Sequence, residues 1–239
     1  MADQFIMEAS TRTLLQSNWS YMRSKPESCA GCPLVVYGRG FVPDQISLNE
    51  EYCFFGEAPG TTEINEGAPF VGKAGFVLKN WLIRAVPQLQ IALEKNRVSF
   101  RNILHCLPPD NKGRAYPTGE TKRLAEEHCK QYHSEIKAST VVLCGEVPQR
   151  FFFGEELEAE DASDRRLGRD VKGVMGRVGR VYEREGKRWT FCNHPAHILR
   201  QPSLVSHGQR ALEIAAGVDK ELEPKYVGWD QALQEIFLL

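Results

Sequence analysis

The apolar run Tyr52-Cys53-Phe54-Phe55 stops at Gly56-Glu57-Ala58-Pro59-Gly60, and this junction constrains the fold more than any other stretch of the chain. A run of strand formers that meets Gly and then Pro-Gly must turn sharply, so the junction reads as a buried strand leading into a tight loop. Glu57 is then held at the carboxyl end of that strand, where open α/β sheets place their ligands. Just beyond it, Gly67-Ala68-Pro69-Phe70-Val71-Gly72-Lys73-Ala74-Gly75 sets the Phe70 ring between glycines, in a segment too tight for ordinary core.

The same alternation continues along the chain. Residues 1–24 read as a helix that Pro26 ends, and residues 35–50 as irregular surface chain. A strand over 51–55 is followed by a helix over 76–85, with Val77, Leu78, Trp81 and Leu82 on one side. A second strand over 98–104 is stopped by Pro108-Pro109. A helix over 121–138, capped by Thr118 or Thr121, leads to a third strand over 140–144 that ends at Gly145. A further helix or turn starts over 149–153. Residues 154–186 look least regular, although 178–184 can form a hairpin strand against 188–192. A last helix covers 206–216. Strands alternating with helices predict a parallel sheet covered on both faces. No linker divides the chain, so it reads as one domain: an N-terminal helix and cysteine pair over 1–50, a core over 51–216 and a tail over 217–239, with Trp229 and an apolar end docked on that core.

With 239 residues and 42% apolar composition, the chain can bury a substantial core. A net charge of −1 means that any nucleic-acid contact has to be a local basic patch. No apolar run approaches the ~20 residues that cross a bilayer. The first residues carry Asp3 and Glu8 and no signal-peptide core, which predicts a cytoplasmic, nucleoid-associated protein. Seven cysteines, an odd number at uneven spacing, do not suit a disulfide framework. Cys53, Cys144 and Cys192 lie in strand-like runs and read as buried, inert thiols. Cys29, Cys32, Cys106 and Cys129 have loop or polar neighbours. A two-residue gap lets Cys29 and Cys32 face one centre, and two more thiolates complete a four-thiolate site for zinc or a [4Fe–4S] cluster; spacing does not choose between them.

Four segments in one order carry a family resemblance. Gly56-Glu57-Ala58-Pro59-Gly60 with Glu63, Gly67 and the segment from Pro69 to Gly75 resembles motif 1 of the uracil-DNA glycosylase superfamily, specifically its iron–sulfur family 4. Asn102-Ile103-Leu104-His105-Cys106-Leu107-Pro108-Pro109 resembles that family's Asn-Val-Val-Lys-Cys-Arg-Pro-Pro segment. His194-Pro195-Ala196-His197-Ile198-Leu199-Arg200 resembles its His-Pro motif, and Cys29-Ala30-Gly31-Cys32-Pro33-Leu34 its N-terminal cysteine pair. The resemblance runs from about residue 28 to 215. It implies an α/β fold, a three-layer α/β/α arrangement with a central, mainly parallel four-stranded sheet. It also implies a hydrolase that extrudes a uracil-like base from DNA and cuts its N-glycosidic bond, with a [4Fe–4S] cluster on Cys29, Cys32, Cys106 and Cys129, and a monomer acting on DNA.

The residue types fit that chemistry. A base has to leave the stack before it can be worked on, and is then read by stacking and by hydrogen bonds to its edge. Phe70 suits the stacking platform, and Asn102 offers both an acceptor and a donor to the base edge. His194 can donate to a base oxygen as charge develops there. Glu57 and Glu63 can position water or stabilise positive charge on the sugar; sequence does not say which of them handles the water. Gly56 and Ala58 complete the base-binding set. By resemblance, the loop with His197 and Arg200 enters the minor groove, with Arg200 as wedge or phosphate contact. Ser206 opens a helix whose amides can bind phosphate. Arg165, Arg166, Arg169, Lys172, Arg177 and Arg180 read equally as phosphate contacts or as a solvated face.

The chain departs from the family's pattern in three places. Ile64 stands where the family has Asp after its counterpart of Glu63. An insert around 111–119, with Arg114 and Tyr116, lengthens the span from Cys106 to Cys129. It lacks the Lys-Arg-Arg-Ile-His segment of covalently trapped relatives, so no covalent DNA adduct is expected. Residues 154–186 are long and charged. Ile64 and the insert raise a second expectation, a glycosylase for a 5-substituted phage pyrimidine acting in defence. A reading from another class is a non-catalytic iron–sulfur DNA-binding module.

Overall fold

The computed structural model describes residues 25–109, 119–166 and 174–218. The expected helix over 1–24, the insert with Arg114 and Tyr116, Arg169 and Lys172, and the tail with Trp229 lie outside the described residues.

Five strands form one sheet in the order β2-β1-β3-β5-β4. They are β1 (Tyr52–Gly56), β2 (Val98–Asn102), β3 (Thr140–Cys144), β4 (Val181–Arg184) and β5 (Lys187–Cys192). Strands β1, β2, β3 and β5 are parallel, as expected, and the anticipated hairpin adds β4 as an antiparallel edge strand. The helices are α1 (Thr61–Glu66), α2 (Lys73–Phe76), α3 (Pro87–Glu94), α4 (Gly119–Cys129), α5 (Glu146–Arg166), α6 (Val174–Arg177), α7 (Pro195–Arg200) and α8 (Val205–Ala215). Helix α2 runs on as a wider π-turn over Val77–Ile83.

The two-residue period of the strands sorts the core into two layers. Phe54, Phe100, Val142, Cys144 and Cys192 pack with Leu78, Leu82 and Leu212 on one face. Cys53, Phe55, Val141, Leu143, Trp189 and Phe191 pack with Phe153 and Leu157 on the other. Both faces are apolar because both are covered, as parallel sheets require.

Two expectations are corrected. The helix predicted over 121–138 ends at Cys129, followed by a single 3₁₀ turn over Lys130–Tyr132. Beyond it the carbonyls of Ser134 and Glu135 accept from the buried Arg101 guanidinium, so they are spent on a side chain and not on a helix. Conversely, α5 carries helix through to Arg166, kinked at Phe153, where an irregular segment was expected. Its acids explain this: Glu160 pairs with Arg180 at 2.9 Å and Asp161 with Arg177, tying α5 to the start of β4. Arg177 and Arg180 are thus held by these internal pairs, and Arg177 is buried.

Candidate active site

Strand register gathers the site. Gly56 at the end of β1 stands beside Asn102 at the end of β2, and Cys144 at the end of β3 beside Cys192 at the end of β5. The chain leaving each end therefore enters one row. Along it lies a cleft of about 630 Å³ lined by Glu57, Ala58, Glu63, Phe70, Asn102 and His194, together with Leu107, Pro108, Pro109, Lys73, Ala196 and Leu199. All the residues expected to face the base or the sugar except Gly56 line this cleft, and Gly56 lies directly beneath it. A methyl at Gly56 would come within 2.6 Å of Asn102 Oδ1 and 2.7 Å of the Phe70 ring. Only glycine lets the Asn102 and Phe70 side chains close over the strand end.

Phe70 has a φ of +54°, a left-handed conformation that costs a non-glycine residue on the order of 1–3 kcal/mol. Such strain persists only where its surroundings over-determine it. Here the ring is wedged against Phe100, with centroids 5.7 Å apart, and joins the core while keeping an edge on the cleft.

Glu63 and Glu57 are placed differently. Glu63 is 8% exposed. Its Oε2 accepts the Gly60 N–H at 3.0 Å and its Oε1 the Gly72 N–H at 2.8 Å. It caps α1 and ties that helix to the start of α2. Glu57 has the more open carboxylate, 37% exposed, with Oε1 2.5 Å from Lys122 Nζ on α4. Sequence reasoning missed Lys122; helical spacing puts it on the same side of α4 as Cys129, but nothing in the sequence announces Glu57 as its partner.

His194 caps α7, and its Nδ1 accepts the Ala196 N–H at 3.2 Å. Burial lowers its pKa, against a smaller raising effect from Glu57. The ring is therefore neutral near pH 7, with the proton on Nε2 as a donor. Gly145, at φ +92°, makes room for it, since a Cβ there would lie 2.9 Å from His194 Cβ. His197 and Arg200 ride on α7, whose Ala196 and Leu199 line the cleft, and Ser206 sits in the first turn of α8.

Ile64 does not fulfil its expectation. It is absent from the cleft lining, and its side chain packs on Gly40, where a Cβ would meet it at 2.7 Å. The side chain after Glu63 turns to the far side of α1, so it does not enlarge the pocket.

The cysteines form the second constellation. Cys29, Cys32, Cys106 and Cys129 line one small apolar cavity with Lys25, Phe41 and His105. Burial pushes the Cys106 thiol up to about 11 and the Cys129 thiol up to about 12, and the mutual charge of the cysteines adds to both. Tyr132 Oη lies 3.2 Å from Cys29 Sγ. Among the described residues, no three His, Cys, Asp or Glu side chains are drawn together as around a single metal ion. The thiols instead ring a cavity.

Beneath β2, Arg101 is fully buried. Its Nη2 donates to Glu50 Oε1 at 2.8 Å, and Asp44 lies 4.0 Å from Nη1. Glu50 Oε2 accepts from the Lys137 and Ala138 amides. This network fixes the strand residue next to Asn102. Among the described residues no helix is long and apolar enough to cross a membrane.

Comparison with known proteins gives the chain's relatives. A family model described as the uracil DNA glycosylase superfamily matches residues 43–215. A type-4 uracil-DNA glycosylase of Pyrobaculum aerophilum is 29% identical over 204 residues, covering 83% of this chain and 94% of the relative. One from Archaeoglobus fulgidus is 31% identical over 180 residues, covering 74% and 81%. One from Sulfurisphaera tokodaii is 38% identical over 181 residues, covering 74% of each.

Proposed function

The chain belongs to the uracil DNA glycosylase superfamily, and from that we propose that it is a uracil-DNA glycosylase that extrudes the base and hydrolyses its bond to the sugar. It is a DNA N-glycosylase, a hydrolase, and DNA is its partner; a non-catalytic module is set aside. The observation that carries the fuller reading is convergence: Phe70 from the motif loop, Asn102 from the end of β2 and His194 from the end of β5 all line the cleft that Glu57 borders.

In this reading the uracil ring stacks on Phe70 and its edge bonds the Asn102 amide. The bond from C1′ to N1 breaks, and its electron pair leaves with the base. His194 Nε2–H donates to the base oxygen on which that charge collects, as a preformed donor does for an oxyanion. Neutral imidazole does this without a charged partner to desolvate. Water adds to C1′ on the other side, and Glu57 orients it and takes its proton. Glu63 holds the loop and leaves the water to Glu57. His197, Arg200 and the first turn of α8 at Ser206 meet the DNA backbone. We place the protein in the cytoplasm, with the nucleoid, as a monomer.

The four thiols fit a [4Fe–4S] cluster. Soft sulfur donors are what iron–sulfur centres take, and all four thiols line one cavity. When bound, the cluster would serve as a structural cross-link. Cys29, Cys32, Cys106 and Cys129 would tie the segment at Glu27–Gly31 to the loop after β2 and to α4.

The test is base release from duplex and single-stranded DNA containing uracil, 5-hydroxymethyluracil or glycosylated hydroxymethylcytosine, read by alkali cleavage at the abasic site. Uracil release that Asn102→Ala abolishes, in a protein that still folds, supports the reading. Release of only the 5-substituted bases supports the phage-defence reading instead. The insert around 111–119 keeps that second reading in the panel. Ile64 no longer supports it.

A further inference from the structure

Helix α4 joins the two constellations. Lys122 lies near its start and Cys129 at its end, two turns apart on one side, with Ala125 and Glu126 buried between them. At the near end Lys122 Nζ bonds Glu57 Oε1 at 2.5 Å and is 17% exposed. In the middle both Glu126 oxygens accept from Arg150 Nη2, at 2.9 and 2.7 Å, which fixes the helix against α5. At the far end Cys129 faces the thiol-lined cavity. A flexible ammonium is thus carried on a helix pinned from two directions and directed at the one cleft carboxylate, among the described residues, that is not committed to backbone.

We propose that Lys122 is a positioning residue of the glycosylase site. Its ammonium fixes where the Glu57 carboxylate stands by engaging Oε1, which leaves Oε2 to hold the attacking water. The role rests on the uracil-excision reading above and adds a residue to it. Without Lys122 the Glu57 side chain can swing among rotamers, and water is no longer held in line with C1′. Displacements of this kind cost rate more than binding. The alternative job for a lysine at the edge of such a cleft is a phosphate contact, which governs binding and its salt dependence.

Single-turnover uracil release separates these roles. The proteins compared are the wild type, Lys122→Met, Lys122→Arg, Glu57→Gln and the double variant Lys122→Met with Glu57→Gln. Lys122→Met is expected to slow the chemical step roughly 10- to 100-fold, with little change in the DNA concentration giving half the maximal rate. Lys122→Arg is expected to restore most of the rate, and Lys122→Met to cost nothing further once Glu57 is Gln, because the two act through one interaction. Melting midpoints check folding, and Lys122→Gln replaces the Met variant if that one does not fold. A wild-type rate in Lys122→Met overturns the role, as do losses that multiply in the double variant, or weaker DNA binding with a shallower salt dependence. In each of these cases uracil excision itself still stands. A wild-type protein that releases no uracil overturns the functional reading and, with it, the role of Lys122.

Discussion

The Glu63 carboxylate accepts the backbone N–H of Gly72 at 2.8 Å and so closes the loop that carries Phe70. Its other oxygen holds Gly60. Both acids of the motif line the cleft, but Glu63 is spent on the backbone while Glu57 keeps a more open carboxylate. Glu63→Gln keeps the size but loses one acceptor and points an NH₂ at a backbone N–H. Leaving a buried amide unpaired costs about 1–3 kcal/mol. We expect that loss in chemical denaturation of Glu63→Gln, and a larger one for Glu63→Ala. In both, base binding should weaken more than the chemical step slows, since Phe70 is what the loop places. A Glu63→Gln protein of wild-type stability would contradict the clamp.

The pH dependence of the reaction should report His194. Its Nδ1 accepts the Ala196 N–H, and burial lowers its pKa below the ordinary 6.5. Protonation at Nδ1 would break that bond and set a charge in a low-dielectric wall. The folded ring therefore resists a proton that the unfolded chain accepts. The associated stability is present above the unfolded value and is lost as pH falls through the folded one. Single-turnover rates should stay level through pH 6.5 and decline only below it. A rate already halved at pH 6.5 or above would show that the ring is not held neutral.

The thiol site is shifted the other way, upward, yet it too is favoured by the higher pH. Cys106 and Cys129 keep their protons to about 11 and about 12 in the buried cavity, so loading iron must displace them. Reconstitution with ferrous iron and sulfide should therefore be more complete at pH 8.5 than at pH 6.5. The loaded protein should be brown, absorbing broadly near ~400 nm, and Cys106→Ser should lower both the colour and the melting midpoint. A colourless protein with stoichiometric zinc would assign the site to zinc.

Much of this was legible in the sequence because the signals are local. Strand formers that stop at glycine, as at Phe55-Gly56, fix a strand end whatever follows, and parallel pairing then brings those ends together. Asn102 and His194 could be placed at strand ends, but their roles and that of Phe70 came from the resemblance of their segments to the family's motifs. The rest depended on contacts far apart in the chain. Helix α4 does not run on to 138, and Arg101, on another element, takes the Ser134 and Glu135 carbonyls that the expected last turns would have used. Helix α5 extends to Arg166 because its acids meet Arg177 and Arg180. Ile64 faces Gly40 because α1 turns its side chain to that side, a rotation that a substituted motif position does not reveal. Lys122 meets Glu57 only once the sheet is built.

Arg101 anchors the fold directly beside a residue of the site. It is fully buried, next to Asn102, with Glu50 at 2.8 Å and Asp44 at 4.0 Å. Burial pushes Asp44 up to about 7, partly offset by Arg101, while Glu50 is brought below the usual range despite its burial by the Arg101 hydrogen bond. Removing the guanidinium leaves Glu50 without its counter-charge and the Ser134 carbonyl without its donor. Breaking one side of a buried pair costs roughly 3–5 kcal/mol. Arg101→Met should lose about that much in urea unfolding. Arg101→Met combined with Glu50→Gln should lose less than the two single changes together, because the stranded charge is gone. The Arg101 side chain does not line the cleft, so the fraction of Arg101→Met that remains folded should still release uracil. A folded but inactive Arg101→Met would mean that the network also sets the orientation of Asn102. Additive losses in the double variant would mean that Arg101 and Glu50 stabilise the fold independently.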